Sequence, residues 1–499
     1  MIACRRGSLI LVLSLAGCAA DAPYRSPTVS VPSTFSVTAE RPSSHEAEAE
    51  WWKSFNDPAL TALVSRALIE NTDIQEAASR IKQARLQERI ERGTHGPQIN
   101  ASAQGGATRL SKNALPSAFA NLFGPNTGES PSGSGLGLPG ESFTTYQMGF
   151  DASWELDVFG GQRRANDAAH ARTEAAIWSA RDAEIMLTAE VANTYQQYRA
   201  LQRRIALADE VLAIQREALD YIRVRTRNGL VPDSDERRQE RELAQNIAQR
   251  EELGSEVDVQ AHALAVLLGA PPNAVLAELA TVMTEAPAQA EVPAGLPSEL
   301  LQRRPDLRAA DRQIAAATAE IGMAKADLYP KFSLTGAVQL ASRSLSSILE
   351  SDSLQDNFAA RVSVPLLNRG RLHANVELRQ AQADEAVLQY RKAVLSALRD
   401  VEDALRRLDA QRHRLDQFRT AARAAQDEAD SATVRYHNGL SAASDVLTAR
   451  QTWEVALDAQ VQAEAAVAQD TVALYKALGG GWDEHRFPIE QDGSNGSGS

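Results

Sequence analysis

Two carboxylates stand at matching places in two similar stretches of the chain. Asp445 closes Arg435-Tyr-His-Asn-Gly-Leu-Ser-Ala-Ala-Ser-Asp445, and Asp235 closes Arg225-Thr-Arg-Asn-Gly-Leu-Val-Pro-Asp-Ser-Asp235. Arg, Asn-Gly-Leu and Ser-Asp recur at one spacing, about 210 residues apart. Asn228-Gly229 and Asn438-Gly439 read as helix stops, because glycine enters the left-handed region at little steric cost. Ser, Pro and Asp just beyond them are helix-start residues. Each stretch is therefore expected to form the tip of a helical hairpin. A carboxylate one turn into the second helix is favoured there by the helix dipole. Other chemistry is poorly supported. Ser79-Arg-Ile-Lys82 has a nucleophile spacing but lies in a helical run without partner motifs. Gly135-Leu-Gly-Leu-Pro-Gly140 has a dinucleotide-binding spacing, but no strand precedes it and no helix opens at it. The histidines are scattered and form no zinc-type cluster. No catalytic constellation emerges, so an enzyme is not expected, nor any cofactor beyond a covalent lipid.

The elements that must position these tips begin behind a targeting segment. Arg5 and Arg6 precede a short apolar run, Leu9 to Leu15, which ends in Leu15-Ala16-Gly17-Cys18. A run this short is a signal peptide rather than a membrane span. Small residues before a cysteine resemble the lipobox of bacterial lipoproteins, in which the cysteine becomes the lipidated first residue. Residues 1–17 are read as signal peptide and Cys18 as the lipidation site. The mature chain then holds one cysteine and no disulfide. The formal charge of −13, from 52 basic and 65 acidic residues, disfavours a nucleic-acid partner.

Residues 18–50 are rich in Pro, Ser and Thr and read as a tether. Asp57-Pro58 opens the folded part as a helix cap followed by proline at the first helical position. Helix continues to about Arg92 with a break near Asn71-Thr72-Asp73. The period then changes. Ile99, Ala101 and Ala103 share a face of a weak strand, and about Gly105 to Glu141 reads as a surface loop. A clearer strand follows. Thr144, Tyr146, Met148, Phe150, Ala152, Trp154 and Leu156 alternate with polar residues. From about Gly161 to Arg227 no Gly or Pro interrupts a heptad seam that includes Leu187, Val191, Tyr198, Leu212 and Leu219. Helix resumes from about Pro232 to Leu268, and an Ala/Pro-rich connector follows.

The plan then repeats. A helix broken before Pro305 leads to two alternating runs. Phe332, Leu334, Gly336, Val338 and Leu340 form one apolar face; Phe358, Ala360, Val362, Val364 and Leu366 form the next. A second long helix, about Gly370 to His437, carries a seam from Tyr390 to Tyr436. Shifted by about 210 residues the first seam falls on it, Val191 on Val401 and Ile222 on Ala432. We read an internal duplication. Residues 51–270 and 297–480 are the two repeats, 271–296 the linker, and 481–499 a disordered tail.

Helices of 65–70 residues would run about 100 Å, wider than a globular core, so they must pack side by side. The four strands admit two readings: half a sandwich in water, or the wall of an outer-membrane barrel. A barrel in lipid must close. Four strands cannot close alone, and eight leave no wet pore. Twelve, from three copies, is the simplest solution.

Leu296-Pro-Ser-Glu-Leu-Leu-Gln-Arg-Arg-Pro-Asp-Leu-Arg-Ala-Ala310 resembles the linker motif of TolC-like outer-membrane efflux lipoproteins of the NodT/OprM type. Trp51-Trp52 with Phe55 and Asp57-Pro58, Trp154-Glu-Leu-Asp-Val-Phe-Gly160, and Val364-Pro-Leu-Leu-Asn-Arg-Gly370 look like further motifs of that family. The resemblance spans nearly the whole mature chain. It implies a mainly α fold with a membrane β part: a trimeric twelve-stranded barrel in the outer membrane and a long periplasmic helical barrel. It further implies the passive exit duct of a tripartite efflux pump, with a periplasmic adaptor and an inner-membrane transporter as partners. In the family, aspartates and apolar residues after the second tip's glycine shut the periplasmic end. By position Asp445 matches one ring aspartate. Thr448 takes the place of another, and Ser444 that of a residue apolar in relatives. The competing reading is a periplasmic coiled-coil adaptor or scaffold lipoprotein. It accounts for the lipobox and the heptads but not for four membrane-style strands.

Overall fold

The computed structural model describes residues 24–35, 49–109, 142–279 and 297–489. Cys18, the signal peptide and Gly135–Gly140 lie outside the described residues. The elements are α1 (Pro58–Glu70), α2 (Thr72–Thr94), β1 (Gln98–Arg109), β2 (Ser142–Leu156), α3 (Gly161–Arg227) and α4 (Asp233–Leu267). After the linker come α5 (Pro297–Arg303), α6 (Pro305–Ala326), β3 (Lys331–Ser342), β4 (Leu354–Ser363), α7 (Arg369–His437) and α8 (Ala443–Leu478). None of the described helices is long and apolar enough to cross a membrane. The chain divides into a sheet-containing unit, residues 86–170 and 316–383, and a helical unit, 25–85, 171–315 and 384–499.

The sheet-containing unit holds four antiparallel strands in the order β1-β2-β3-β4. Its register puts like with like. Phe150 faces Val338, Trp154 faces Leu334, and Phe332 faces Val362. The apolar face is uncovered, with Phe150 63% and Phe358 74% exposed. The other face is polar. The Asn100 amide donates to Asp151 at 3.1 Å, and the Gln104 amide to Gln147 at 2.6 Å. Strand β1 is longer than the sequence pattern suggests. Gly105 to Arg109 read as loop, because paired glycines lower strand preference. Here they are strand, carried by pairing along β2 from Gly105↔Tyr146 to Arg109↔Ser142. In β4 the strand begins at Leu354 and ends at Ser363, so Val364 and Leu366 fall beyond it.

The helical unit is organised by the two seams. On α3, Leu187, Val191, Tyr198, Leu201, Leu212, Gln215 and Leu219 are buried; on α7, so are Tyr390, Val394, Val401, Leu408, Leu415 and Ala432. Tyr436, the last seam residue, is exposed where the hairpin ends. One core joins Trp51, Trp52 and Phe55 with Leu60 and Val64 of α1, Val191 and Tyr195 of α3, Leu264 of α4, and Val472 of α8. Trp51 stacks on Tyr475 at 5.2 Å. Asp57 caps α1 by accepting the Ala59 and Leu60 N–H groups, and its second oxygen accepts the Tyr195 hydroxyl at 2.7 Å. Asn71 caps α2 and also donates to the Leu267 carbonyl at 2.9 Å, tying the ends of α1 and α4 together.

The connector opens with structure of its own: Leu276–Leu279 forms a helical turn, and Val275 and Leu279 are buried. One more expectation differs from the structure. The tail from 481 does not start disordered. Trp482 packs edge-on against Trp178 at 5.6 Å, and Phe487 is buried. Arg486 pairs with the buried Glu184 at 2.6 Å and donates to the Leu68 carbonyl. Arg181 donates to the Phe487 carbonyl. Gly481, at φ +108°, is the residue that lets this segment turn in. A Cβ there would lie 2.8 Å from Thr188 Oγ1 and 2.9 Å from Trp51 Nε1.

Candidate functional site: the hairpin tips

Both tips end their first helix in the same way. Gly229 has φ +66° and Gly439 φ +70°. The N–H of each reaches back three residues, to Thr226 and Tyr436, at 2.9 Å. The next N–H, of Leu230 or Leu440, reaches the carbonyl of Arg225 or Arg435. This paired closure is the Schellman arrangement, which needs the left-handed residue glycine supplies. The preceding asparagines fold back identically, Asn228 onto the Val224 carbonyl at 2.7 Å and Asn438 onto the Val434 carbonyl at 2.8 Å. Leu230 and Leu440 are left exposed.

The second helices start differently. Pro232 precedes α4 and has no N–H to give, so the Asp235 carboxylate instead accepts from Arg238 at 3.0 Å. Ala442 precedes α8 and has no side-chain acceptor, but its N–H donates to Asp445 Oδ2 at 3.1 Å. Asp445 is thus the return half of a capping box. Ser444, Asp445 and Thr448 are all exposed, and the Thr448 hydroxyl donates to the Ser444 carbonyl at 2.9 Å. Ala449, Val446 and Trp453 turn the other way and pack on Ala429 and Ala432 of α7. Within one chain, then, the three residues form an exposed patch at the start of α8, and Asp235 belongs to a separate local pair.

Further from the tips, α8 is locked to α3 across the duplication. Arg203 bonds Glu464 at 2.8 Å, and Arg204 bonds Asp458 at 2.7 Å. Glu454 is buried beside Glu210, and burial first, then that neighbour, pushes its carboxyl up to about 7. The sequence offered no signal for this pair, since α3 and α8 meet only in the folded chain. The linker motif has a structural task. Arg304 grips Asp306 with two bonds, at 3.0 and 2.8 Å, and donates to the Ala477 carbonyl at the end of α8. Ser79 and Lys82 are both exposed on α2.

An antiparallel sheet with an uncovered apolar face, joined in one chain to duplicated helical hairpins, defines an outer-membrane channel of the TolC-like class. The chain matches the outer membrane efflux protein family over residues 63–270 and 296–480, and it belongs to that family. It is 30% identical over 497 residues to outer membrane protein OprJ of Pseudomonas aeruginosa, covering 97% of this chain and 98% of OprJ. The solved outer-membrane channel OprN superposes with a TM-score of 0.80 at 30% identity, over 93% of this chain and 100% of that one. The open state of the Neisseria gonorrhoeae MtrE channel gives 0.78 at 28% identity, over 93% and 98%. The protein is therefore the outer-membrane channel of a tripartite efflux system, with its helical part in the periplasm. It is not an enzyme, and the adaptor reading is set aside.

Proposed function

We propose that three copies of this chain close one twelve-stranded barrel and act as the passive exit duct for small molecules. A periplasmic adaptor and an inner-membrane transporter deliver the cargo, and a lipid on Cys18 anchors each copy after removal of residues 1–17. The observation that carries this reading is the four-stranded sheet with two open edges and an apolar face turned to its surroundings. In lipid such edges must be paired, and three copies are the smallest set that leaves a wet pore.

The tips are the gate. Ser444, Asp445 and Thr448 present a polar, singly acidic patch from each copy. Three Asp445 carboxylates brought towards one axis repel one another and attract counter-ions or protons. The Schellman turn at Gly439 and the bond from the Ala442 N–H keep Asp445 close to its own tip. With Thr448 and Ser444 in place of a second carboxylate and an apolar plug, closure rests on one ring of charge.

The test is extraction from outer-membrane fractions into mild detergent, followed by planar-bilayer recording. A heat-labile trimer that conducts ions is expected. A monomer that does not conduct would overturn the duct. Incorporation of labelled palmitate that disappears in Cys18→Ala tests the anchor.

A further inference from the structure

Two charges lie on the apolar face of the sheet. In β1, Ile99, Ala101, Ala103, Gly105, Ala107 and Arg109 alternate onto one side. The row that starts at Ala101 runs through Phe150 and Val338 to Asp356. Asp356 therefore shares its face with Leu354, Phe358 and Val362 of β4, and with Arg109 of β1. Both side chains are exposed, and neither has an ion-pair partner among the described residues. On a lipid-contacting face an unpaired arginine is costly at mid-membrane and less so towards the interface.

Their positions are complementary. Arg109 ends β1 and Asp356 is near the start of β4, so both lie at the end of the sheet where β3 turns into β4. They occupy its two opposite, open edges. Three strand spacings, about 14 Å, separate those edges within a chain, too far for a direct pair. The strand ends also step along the sheet. Arg109 pairs with Ser142, yet β3 ends at Ser342 opposite Tyr146, and β4 begins at Leu354 opposite Leu340. Such a stagger is what strand tilt in a closed barrel requires. Continue it by one strand, allowing only even offsets so that apolar faces stay together. Arg109 of the neighbouring copy then lies opposite Leu354 or opposite Asp356 itself. Either placement is within reach of an arginine side chain.

We infer that Arg109 of one copy and Asp356 of the next form an ion pair across each seam of the barrel, and that this pair sets the register of closure. The inference rests on the three-copy reading above. A register that sets Arg109 four or more residues from Asp356 leaves the apolar face continuous but parts the two charges, so the pair excludes registers that hydrophobicity alone treats alike. It also pairs the two charges of a face that is otherwise uncharged.

The test compares wild type, Arg109→Asp, Asp356→Arg and the double reversal, each as full-length protein extracted from outer membranes and heated in detergent. At the temperature where wild type is half dissociated, each single reversal is expected to lower the trimer-to-monomer ratio roughly tenfold, as three like-charge seams of a few tenths of a kcal/mol would. The double reversal is expected to restore it. A second measurement uses Arg109→Cys with Asp356→Cys, which should give cross-linked oligomers under oxidising conditions, while either cysteine alone should not. Single reversals without effect, or a double reversal no better than the singles, would overturn the pair while leaving the trimer intact. A wild-type protein that is never trimeric would overturn the three-copy reading, and the pair with it.

Discussion

The two halves of the duplication share a hairpin but not its ending. Up to the glycine the tips are alike, bond for bond. Beyond it, a proline in one half and an alanine in the other redirect the same carboxylate, Asp235 to an arginine and Asp445 to a backbone N–H. The returning helices diverge too. Helix α8 carries a buried Glu454 where the equivalent position of α4 is an exposed Ala244. The halves also end differently. After Gly269 the chain makes one helical turn into the first-half core, whereas after Gly481 it runs on to bind Glu184 and Leu68 of the first half. Duplication supplied two equal scaffolds, and single residues at caps and ends gave them unequal tasks.

The largest expected effect breaks the asymmetry of the endings. Arg486→Ala leaves Glu184, 1% exposed, without its direct ion-pair partner. Burial already pushes that carboxyl up to about 7, so a loss of about 2–3 kcal/mol in unfolding free energy is expected at pH 8, part of the penalty being relieved by proton uptake. Adding Glu184→Gln should recover most of it, and urea unfolding of the detergent-solubilised protein reads both.

Next is the contrast between Glu454 and Ala244. The Glu454 carboxyl is raised to about 7, so the folded chain favours its protonated form. That contribution is fully present below the unfolded value near 4.5 and is lost as pH rises through 7. Glu454→Gln should therefore stabilise the protein by roughly 1–2 kcal/mol at pH 8 and hardly at all at pH 4.5. A melting series across that range would show equal gains at every pH if burial were not acting on the carboxyl.

The tips come third. Asp445→Ala removes a cap worth about 1 kcal/mol together with the charge, and the channel should become leakier in planar bilayers. Asp445→Asn keeps an oxygen for the Ala442 N–H and loses only the charge, so its conductance should match that of the alanine variant. Asp235→Ala should leave conductance unchanged. An unaltered conductance and pH response in both Asp445 variants would remove the gate from this residue.

The smallest effect makes one tip imitate the other. Ala442 has φ −82°, which proline tolerates. Ala442→Pro should speed amide exchange over the first turn of α8, by under about 1 kcal/mol, with conductance as in wild type. A changed conductance would mean that the cap, and not the charge, shuts the tip.

Much of the fold is local and so was readable. An uninterrupted run from Gly161 to Arg227 leaves little but a helix, and Asn-Gly marks where each hairpin turns. Alternation gave β2 to β4 their apolar side. What escaped depends on distant partners. Gly105 to Arg109 is strand because β2 lies beside it, Val275 is core because α1, α3 and α4 surround it, and Trp482 is ordered by Trp178. For the tips, the cap at Asp445 is written in the spacing from Gly439. The ring proposed for it is not, because its other members would belong to other copies of the chain.

The segment after Gly481 also has a consequence for the order of events in synthesis. Glu184, Trp178 and the Leu68 carbonyl leave the ribosome early, and their partners, Arg486 and Trp482, are among the last described residues to follow. The first half therefore stays unsealed until almost the entire chain has been exported. A chain interrupted before these partners keeps Trp178 without its ring partner and Glu184 without Arg486.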